Sequence, residues 1–378
     1  MQAEMDKLVN RTCPSENMAD NDPSVFWDHG PRFDAHRIGW TVSGVFAFVA
    51  TVISLYLIIK HSKYYHRPEC QRHIIRILLM IPIYAVISWL SYRFFHYSIY
   101  YEAVRDCYEA FVISAFFALL TQYVEDSPEE SKEILNNIDK KSCPFPLGCY
   151  RYRPTSERFL HMAKWGILQY VVLYPLITLA TLITQAFGVY CAEIMSFVFA
   201  QIYLKSAQLL SVTVAIYALI VFYNAISEVI ASEKPFFKLF CVKMVVFFSF
   251  WQAFILSVLA SIGLIHETQY WTRSNIGRGI NSLLICFEMM IFAVLHIYAF
   301  PYKPFRDFGN RARTPLFKGI IDALNPIDIL WEIIFVTQKV WDIIKQRRTK
   351  ASPKKDKFDI HRAVSLKYPK HKYQNLEA

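Results

Sequence analysis

The stretch Gly39 to Ile59, GWTVSGVFAFVATVISLYLII, runs for 21 positions without a charged residue. A helix rises about 1.5 Å per residue, so roughly 20 apolar residues cross a hydrocarbon core about 30 Å thick. This stretch reads as a membrane span, and the same test predicts six more, at 74–94, 104–124, 164–186, 196–222, 239–265 and 279–300. The expected fold is all-α and polytopic, with seven transmembrane helices. Polar connections are short except for 125–163. Because the chain opens on polar MQAEMDKLVN and its first apolar run is too long for a signal-peptide core, the first span is expected to be its own signal and anchor.

Composition agrees. Of 378 residues 54% are hydrophobic and 16% aromatic, with only 11 glycines, too apolar for an ordinary soluble enzyme. The net charge of +10 is local: residues 301–378 hold 17 Lys plus Arg against 8 Asp plus Glu, a net +9. A basic segment beside the last span fits an anionic leaflet, with each cation worth about 1 kcal/mol. Membrane lipid is therefore the expected partner, and no nucleic acid is.

Orientation follows from the short loops. Lys60, Lys63, Arg67 and Arg72 follow the first span, six cations lie in 125–163, and Lys234 and Lys238 follow the fifth span. The opposite loops carry only Arg273 and Arg278. The N-terminus is expected outside or in a lumen and the C-terminus in the cytosol. Residues 1–38 then form an outside segment, 39–300 the membrane domain, 301–348 a cytosolic interfacial region and 349–378 a basic, disordered tail. The sequon at Asn10 is a candidate glycosylation site on the outer side. A receptor reading fails, since the third span ends Tyr123-Val124-Glu125-Asp126 without an arginine switch and the seventh has no Asn-Pro kink.

Ionisable residues at membrane depth carry the functional information, because Asp, Lys or Arg costs about 2.5–3.5 kcal/mol at a helix centre. Glu102, Arg105 and Asp106 fall near the start of the predicted third span, where interfacial water accounts for them; Glu109 is deeper on the same face. In the fifth span Gln201, Lys205 and Gln208 form an i, i+4, i+7 polar stripe, and Glu288 in the seventh has a depth matching Lys205. Two readings of Lys205 and Glu288 stand: a pair that locks helices together, or a site where Lys205 binds an anionic head and Glu288 shares its cavity. Trp251, Gln252, Tyr174, Tyr203 and Tyr217 are candidates for amphipathic walls, with ordinary packing the alternative for each. Pro82 and Pro175 fall inside spans and are expected to kink them.

Cys13, Cys107 and Cys191 face outward, leaving a Cys107–Cys191 bridge, a Cys13–Cys191 bridge or free thiols open. Cys143 and Cys149 are cytosolic and are candidates for S-acylation. His66, Cys70 and His73 have spacing compatible with zinc, but their basic loop offers no fourth ligand; lipid headgroup contact is expected and no metal. No catalytic motif is present, so neither enzyme activity nor a cofactor is predicted. Asn325-Pro326 reads as a helix N-cap, opening an amphipathic helix that aligns Ile327, Leu330, Ile334, Trp341 and Ile344 along the cytosolic face.

Several blocks occur together: Gln71-Arg72-His73-Ile74-Ile75-Arg76, Pro82-Ile83-Tyr84-Ala85, Arg105-Asp106-Cys107-Tyr108-Glu109, Gly166-Ile167-Leu168-Gln169-Tyr170, Phe248-Ser249-Phe250-Trp251-Gln252, Tyr302-Lys303-Pro304-Phe305 and Asn325-Pro326-Ile327-Asp328. With these the chain resembles the organic solute transporter alpha-subunit family, nearest the branch called transmembrane protein 184. It departs from that pattern at Ser114-Ala115-Phe116-Phe117 and in having only two cysteines in the cytosolic loop. The resemblance implies facilitated transport of amphipathic organic anions, steroid conjugates or lipids, with a single-span partner or a homo-oligomer. The alternative is an endomembrane signalling or trafficking scaffold that displays its loop and tail without transport activity.

Overall fold

The computed structural model describes residues 35–127, 141–144, 148, 151–153, 157–191, 197–230, 235–262, 264–266, 273–306 and 315–325, together with 327, 334, 338 and 341. The long helices are α1 (Ala35–Lys63), α2 (Pro68–Arg93), α3 (Ser98–Glu125), α4 (Glu157–Ala186), α5 (Ala200–Ile226), α6 (Pro235–Ser261) and α7 (Arg273–Ala299), followed by the short α8 (Lys303–Arg306) and α9 (Leu316–Leu324). Six of the long helices, all but α6, are long and apolar enough to cross a membrane among the described residues. The strands β1 (Lys141–Ser142) and β2 (Arg151–Tyr152) form an antiparallel hairpin inside the expected cytosolic loop, which the all-α reading did not anticipate.

Several helices begin before their apolar runs. α3 starts at Ser98, α4 at Glu157 and α7 at Arg273, each about six or seven residues earlier than hydropathy predicted. The residues gained include no proline, so nothing in them interrupts the backbone ladder. Glu109 therefore lies about 17 Å along α3, deeper still than the predicted span start implied. α2 carries Pro68 at its start, where the missing N–H is harmless, and Gln71 Oε1 reaches back to the Arg67 N–H at 2.8 Å. The helices continue through Pro82 and Pro175.

Small and large residues sort onto opposite sides of α1. Ser43, Ala47, Ala50 and Ser54 are buried, so the helix backbone lies close to α2 and α7. Val45, Phe48, Val52, Leu55 and Ile59 are exposed along the other side, the face that fits lipid. The principal contacts run α5, α4, α3, α2, α7, α6 in a row, with α1 against both α2 and α7. α2 and α3 are the most enclosed spans.

α9 folds back onto α1 and α2. Its anchor is the fully buried Arg76, whose guanidinium donates to the carbonyls of Ala323 and Asn325 at 2.7 Å each and lies over the Phe111 ring at 5.2 Å. A cation at a helix C-terminus meets both the unpaired last carbonyls and the negative end of the dipole. Tyr65 donates its hydroxyl to Asp322, and Gly319 allows the close approach: a Cβ there would lie 3.1 Å from the Tyr65 ring and 3.2 Å from Ser62 Oγ. Asn325 Oδ1 then accepts the Ile327 N–H at 3.1 Å, the N-cap bond expected from Asn325-Pro326. Ile327, Ile334 and Trp341 are helical and exposed. Leu330 and Ile344 lie outside the described residues, as do Asn10, Cys13 and Cys149.

α4 and α5 meet through Gly166 and Gln169. Gln169 Nε2 donates to the Ser211 carbonyl and Ser211 Oγ donates to Gln169 Oε1, both at 2.9 Å. A Cβ at Gly166 would lie 2.9 Å from Ala218 Cβ, which has no rotamer by which to move away. Gly166→Ala is expected to force the two helices apart and lower stability by about 1–3 kcal/mol, as overpacking does. Scanning fluorimetry of the purified protein measures it; an unchanged melting temperature would mean that α4 and α5 separate freely here.

Candidate functional site

The motif Arg105-Asp106-Cys107-Tyr108-Glu109 lies on α3, between α2 and α4. Helical spacing puts Arg105 and Glu109 on one side, and both are buried. The Glu109 carboxyl accepts a hydrogen bond from Tyr84 of α2 at 2.7 Å and one from Tyr170 of α4 at 3.1 Å. Arg105 lies over the Tyr84 ring at 5.7 Å, donates to Ser88 Oγ at 3.4 Å and pairs with Asp106 at 3.6 Å. Arg105 is thus not an interfacial residue kept wet by solvent, as its position near the predicted helix start suggested. Tyr108 donates to the Arg76 carbonyl at 2.7 Å, linking α3 to the residue that anchors α9. Tyr170 and Tyr174 meet edge to face at 4.7 Å.

Asp106 carries the network to α5. Gln208 Nε2 lies 3.4 Å from Asp106 Oδ2 and also donates to the Tyr174 hydroxyl. One turn earlier, exposed Lys205 has Tyr190, Asp106 and Glu102 as its electrostatic neighbours. Gln201 is half-buried. Burial pushes the phenol of Tyr190, in the loop after α4, up from its usual range, and Lys205 offsets part of that. The predicted stripe therefore faces acids on α3.

Glu288 is elsewhere. It accepts a hydrogen bond from Gln252 Nε2 of α6 at 2.6 Å. The expected Lys205/Glu288 partnership does not form, because α5 and α6 stand at opposite ends of the row and α7 packs against α1, α2 and α6. Nor do their depths match as expected: Lys205 lies five residues into α5, Glu288 fifteen into α7. Trp251 is exposed beside Phe254. Of the proposed aromatic walls Tyr174 joins the network, whereas Tyr203 is exposed and donates to the Phe197 carbonyl, and Tyr217 donates to the Pro144 carbonyl near the hairpin.

The cysteines are sorted as well. Cys191 is disulfide-bonded, whereas Cys107 is a free thiol, which excludes the Cys107–Cys191 bridge. Cys143, the S-acylation candidate, is free and half-buried. Cys70 is buried with its thiol 3.4 Å from Asp126, itself paired with Arg67 at 2.5 Å, and His73 is buried against Arg72 and Arg76. These two side chains are too enclosed for the headgroup contact expected of them. No group of three metal-ligating side chains occurs among the described residues.

Sequence reasoning overlooked Tyr84, Tyr170 and Ser88. The usable signal was a tyrosine inside an apolar span, whose hydroxyl requires a partner. Long apolar helices around an internal charged network define an integral multi-pass membrane protein with a polar site inside its bundle. The family model of organic solute transporter Ostalpha matches residues 39–305, and the chain belongs to that family. No solved structure matches it.

Removing one donor from a buried carboxyl leaves its oxygen short of a partner, at a cost of about 1–3 kcal/mol. Tyr84→Phe is expected to lower stability by that amount with little change in packing volume. Denaturant titration in detergent tests it, and wild-type stability in the variant would show that the Tyr84–Glu109 bond contributes nothing.

Proposed function

We propose that this protein is a transporter, or the membrane subunit of one, for amphipathic organic anions such as steroid conjugates or for anionic lipids, moving them by facilitated passage. The observation that carries this reading is the contrast between two cations in one network. Arg105 is buried and held by Asp106 and Ser88, whereas Lys205 remains exposed with its charge toward Asp106 and Glu102. An incoming sulfate or carboxylate can exchange with those acids at Lys205, and Gln208 and Gln201 supply further polar contacts. Glu109 holds the surrounding helices in register. Trp251, Gln252 and Glu288 form a separate polar and aromatic patch rather than the opposite wall of this site.

A charge-assisted hydrogen bond is worth about 1.5–3 kcal/mol, and each 1.4 kcal/mol is tenfold. Lys205→Ala is expected to reduce flux of a labelled steroid sulfate in proteoliposomes by about 10- to 100-fold at low substrate. Equal flux would remove Lys205 from the mechanism.

In the proposed topology all seven long helices span, the N-terminus is outside and the helix after Asn325 lies on the cytosolic leaflet. α6 fits this, since its exposed Phe248, Phe254, Ile255 and Val258 present an apolar surface. A partner subunit or a second copy remains part of the proposal. With the N-terminus outside, Asn10 is reachable by the glycosylation machinery and Cys143 and Cys149 are not oxidised. Asn10→Gln is expected to abolish a glycosidase-sensitive mobility shift of the protein expressed in eukaryotic cells. A tag at the N-terminus accessible only from the cytosol would reverse the orientation.

A further inference from the structure

The Glu288–Gln252 contact contains two atoms that the rest of the described protein leaves without partners. Gln252 Nε2 donates to Glu288 Oε1 at 2.6 Å, while Glu288 Oε2 and Gln252 Oε1 are both buried and accept no hydrogen bond among the described residues. These four atoms are the components of one ring. A neutral carboxylic acid and a primary amide pair through two hydrogen bonds: amide N–H to one carboxyl oxygen, and carboxyl O–H to the amide oxygen. One bond is present, and the two orphaned atoms are those that the second would join.

We propose that Glu288 is a proton-binding site: it takes one proton from water on Oε2 and donates it to Gln252 Oε1, closing a cyclic acid–amide pair between α7 and α6. A single proton satisfies both orphaned acceptors and removes a charge from the middle of an apolar helix, where buried unpaired polar groups and ions are both costly. Release of the proton to water leaves a carboxylate oxygen against the amide oxygen, and that contact is repulsive.

The surroundings offer Glu288 no other means of neutralisation among the described residues. α1, which packs on α7, has no charged residue between Arg37 and Lys60, and its Tyr56 lies near Lys60. On α2, Tyr84 is committed to Glu109, and Arg76 to α9. On α6, Lys238 donates to Tyr123 of α3 at 3.0 Å, and Lys243 is nine positions before Gln252 in the chain. On α7 itself the neighbouring thiol, Cys286, lies 3.5 Å from the Ala85 carbonyl, and His296 bonds the Phe292 carbonyl at 2.8 Å. Phe287 and Phe292 pack on Phe46 and Phe248 around the pair. Because α7 is the principal neighbour of α6, the proton controls a polar link in the seam that holds the edge helix to the bundle.

This inference does not depend on the transport reading. Infrared difference spectroscopy of the full chain in lipid nanodiscs, titrated with pH, detects a protonated carboxyl by its C=O stretch. The expected result is a band that disappears as pH rises, is absent from Glu288→Gln, and moves toward the free-acid position in Gln252→Leu. Glu288→Gln restores the same ring as an amide pair, so its thermal stability is expected to lose the pH dependence that the wild type shows over the same range. An undiminished band in Glu288→Gln overturns the proposal. Should that variant fail to fold, a band that Gln252→Leu leaves unmoved overturns it equally.

Discussion

One carboxyl ties three helices together at the centre of this protein. Glu109 on α3 accepts hydroxyl hydrogen bonds from Tyr84 on α2 and Tyr170 on α4, fixing the rotation of all three around a group that lipid cannot solvate. The rest of the polar interior is arranged by that choice. With Glu109 held by tyrosines, Arg105 turns to Asp106 and Ser88, and Asp106 in turn reaches Gln208 and the vicinity of Lys205. Polar groups in hydrocarbon have few alternatives to one another, so satisfying the deepest one propagates outward to the accessible one.

A second buried charge performs a different task. Arg76 joins the N-terminal half of α2 to a helix that follows the last long helix, using carbonyls that the end of α9 leaves unpaired. Its backbone carbonyl receives Tyr108 and its guanidinium lies over Phe111, both on α3. The residues that hold Arg76 and those that organise the Glu109 network therefore interleave on α3. A shift of α3 moves both, which gives α9 a physical connection to the interior site.

At the far end of the row α6 is attached chiefly to α7, and there the polar contact is small and chargeless if Glu288 holds a proton. The bundle thus divides into a centre cross-braced by several charge-bearing bonds and an edge held by packing and one acid–amide pair. In a membrane, where lipid competes for apolar contact about as well as protein does, such an edge is the part whose position the surroundings can alter.

Apolar runs of about 20 residues were sufficient to find the long helices, because a bilayer requires that length whatever the neighbours are. The N-cap at Asn325 was legible too, since it depends on residues close in the chain. The early starts of α3, α4 and α7 were not, as a hydropathy run measures where lipid contact ends and not where backbone hydrogen bonding does. Nor was the β hairpin, or the docking of α9 by Arg76, residues nearly 250 positions apart. The Lys205/Glu288 pairing is the clearest divide. Sequence by itself determined that two opposite charges stand on apolar helices and that each needs a partner; only the tertiary structure decided which, because helix order around the bundle sets lateral distance, and position along one helix carries no information about it.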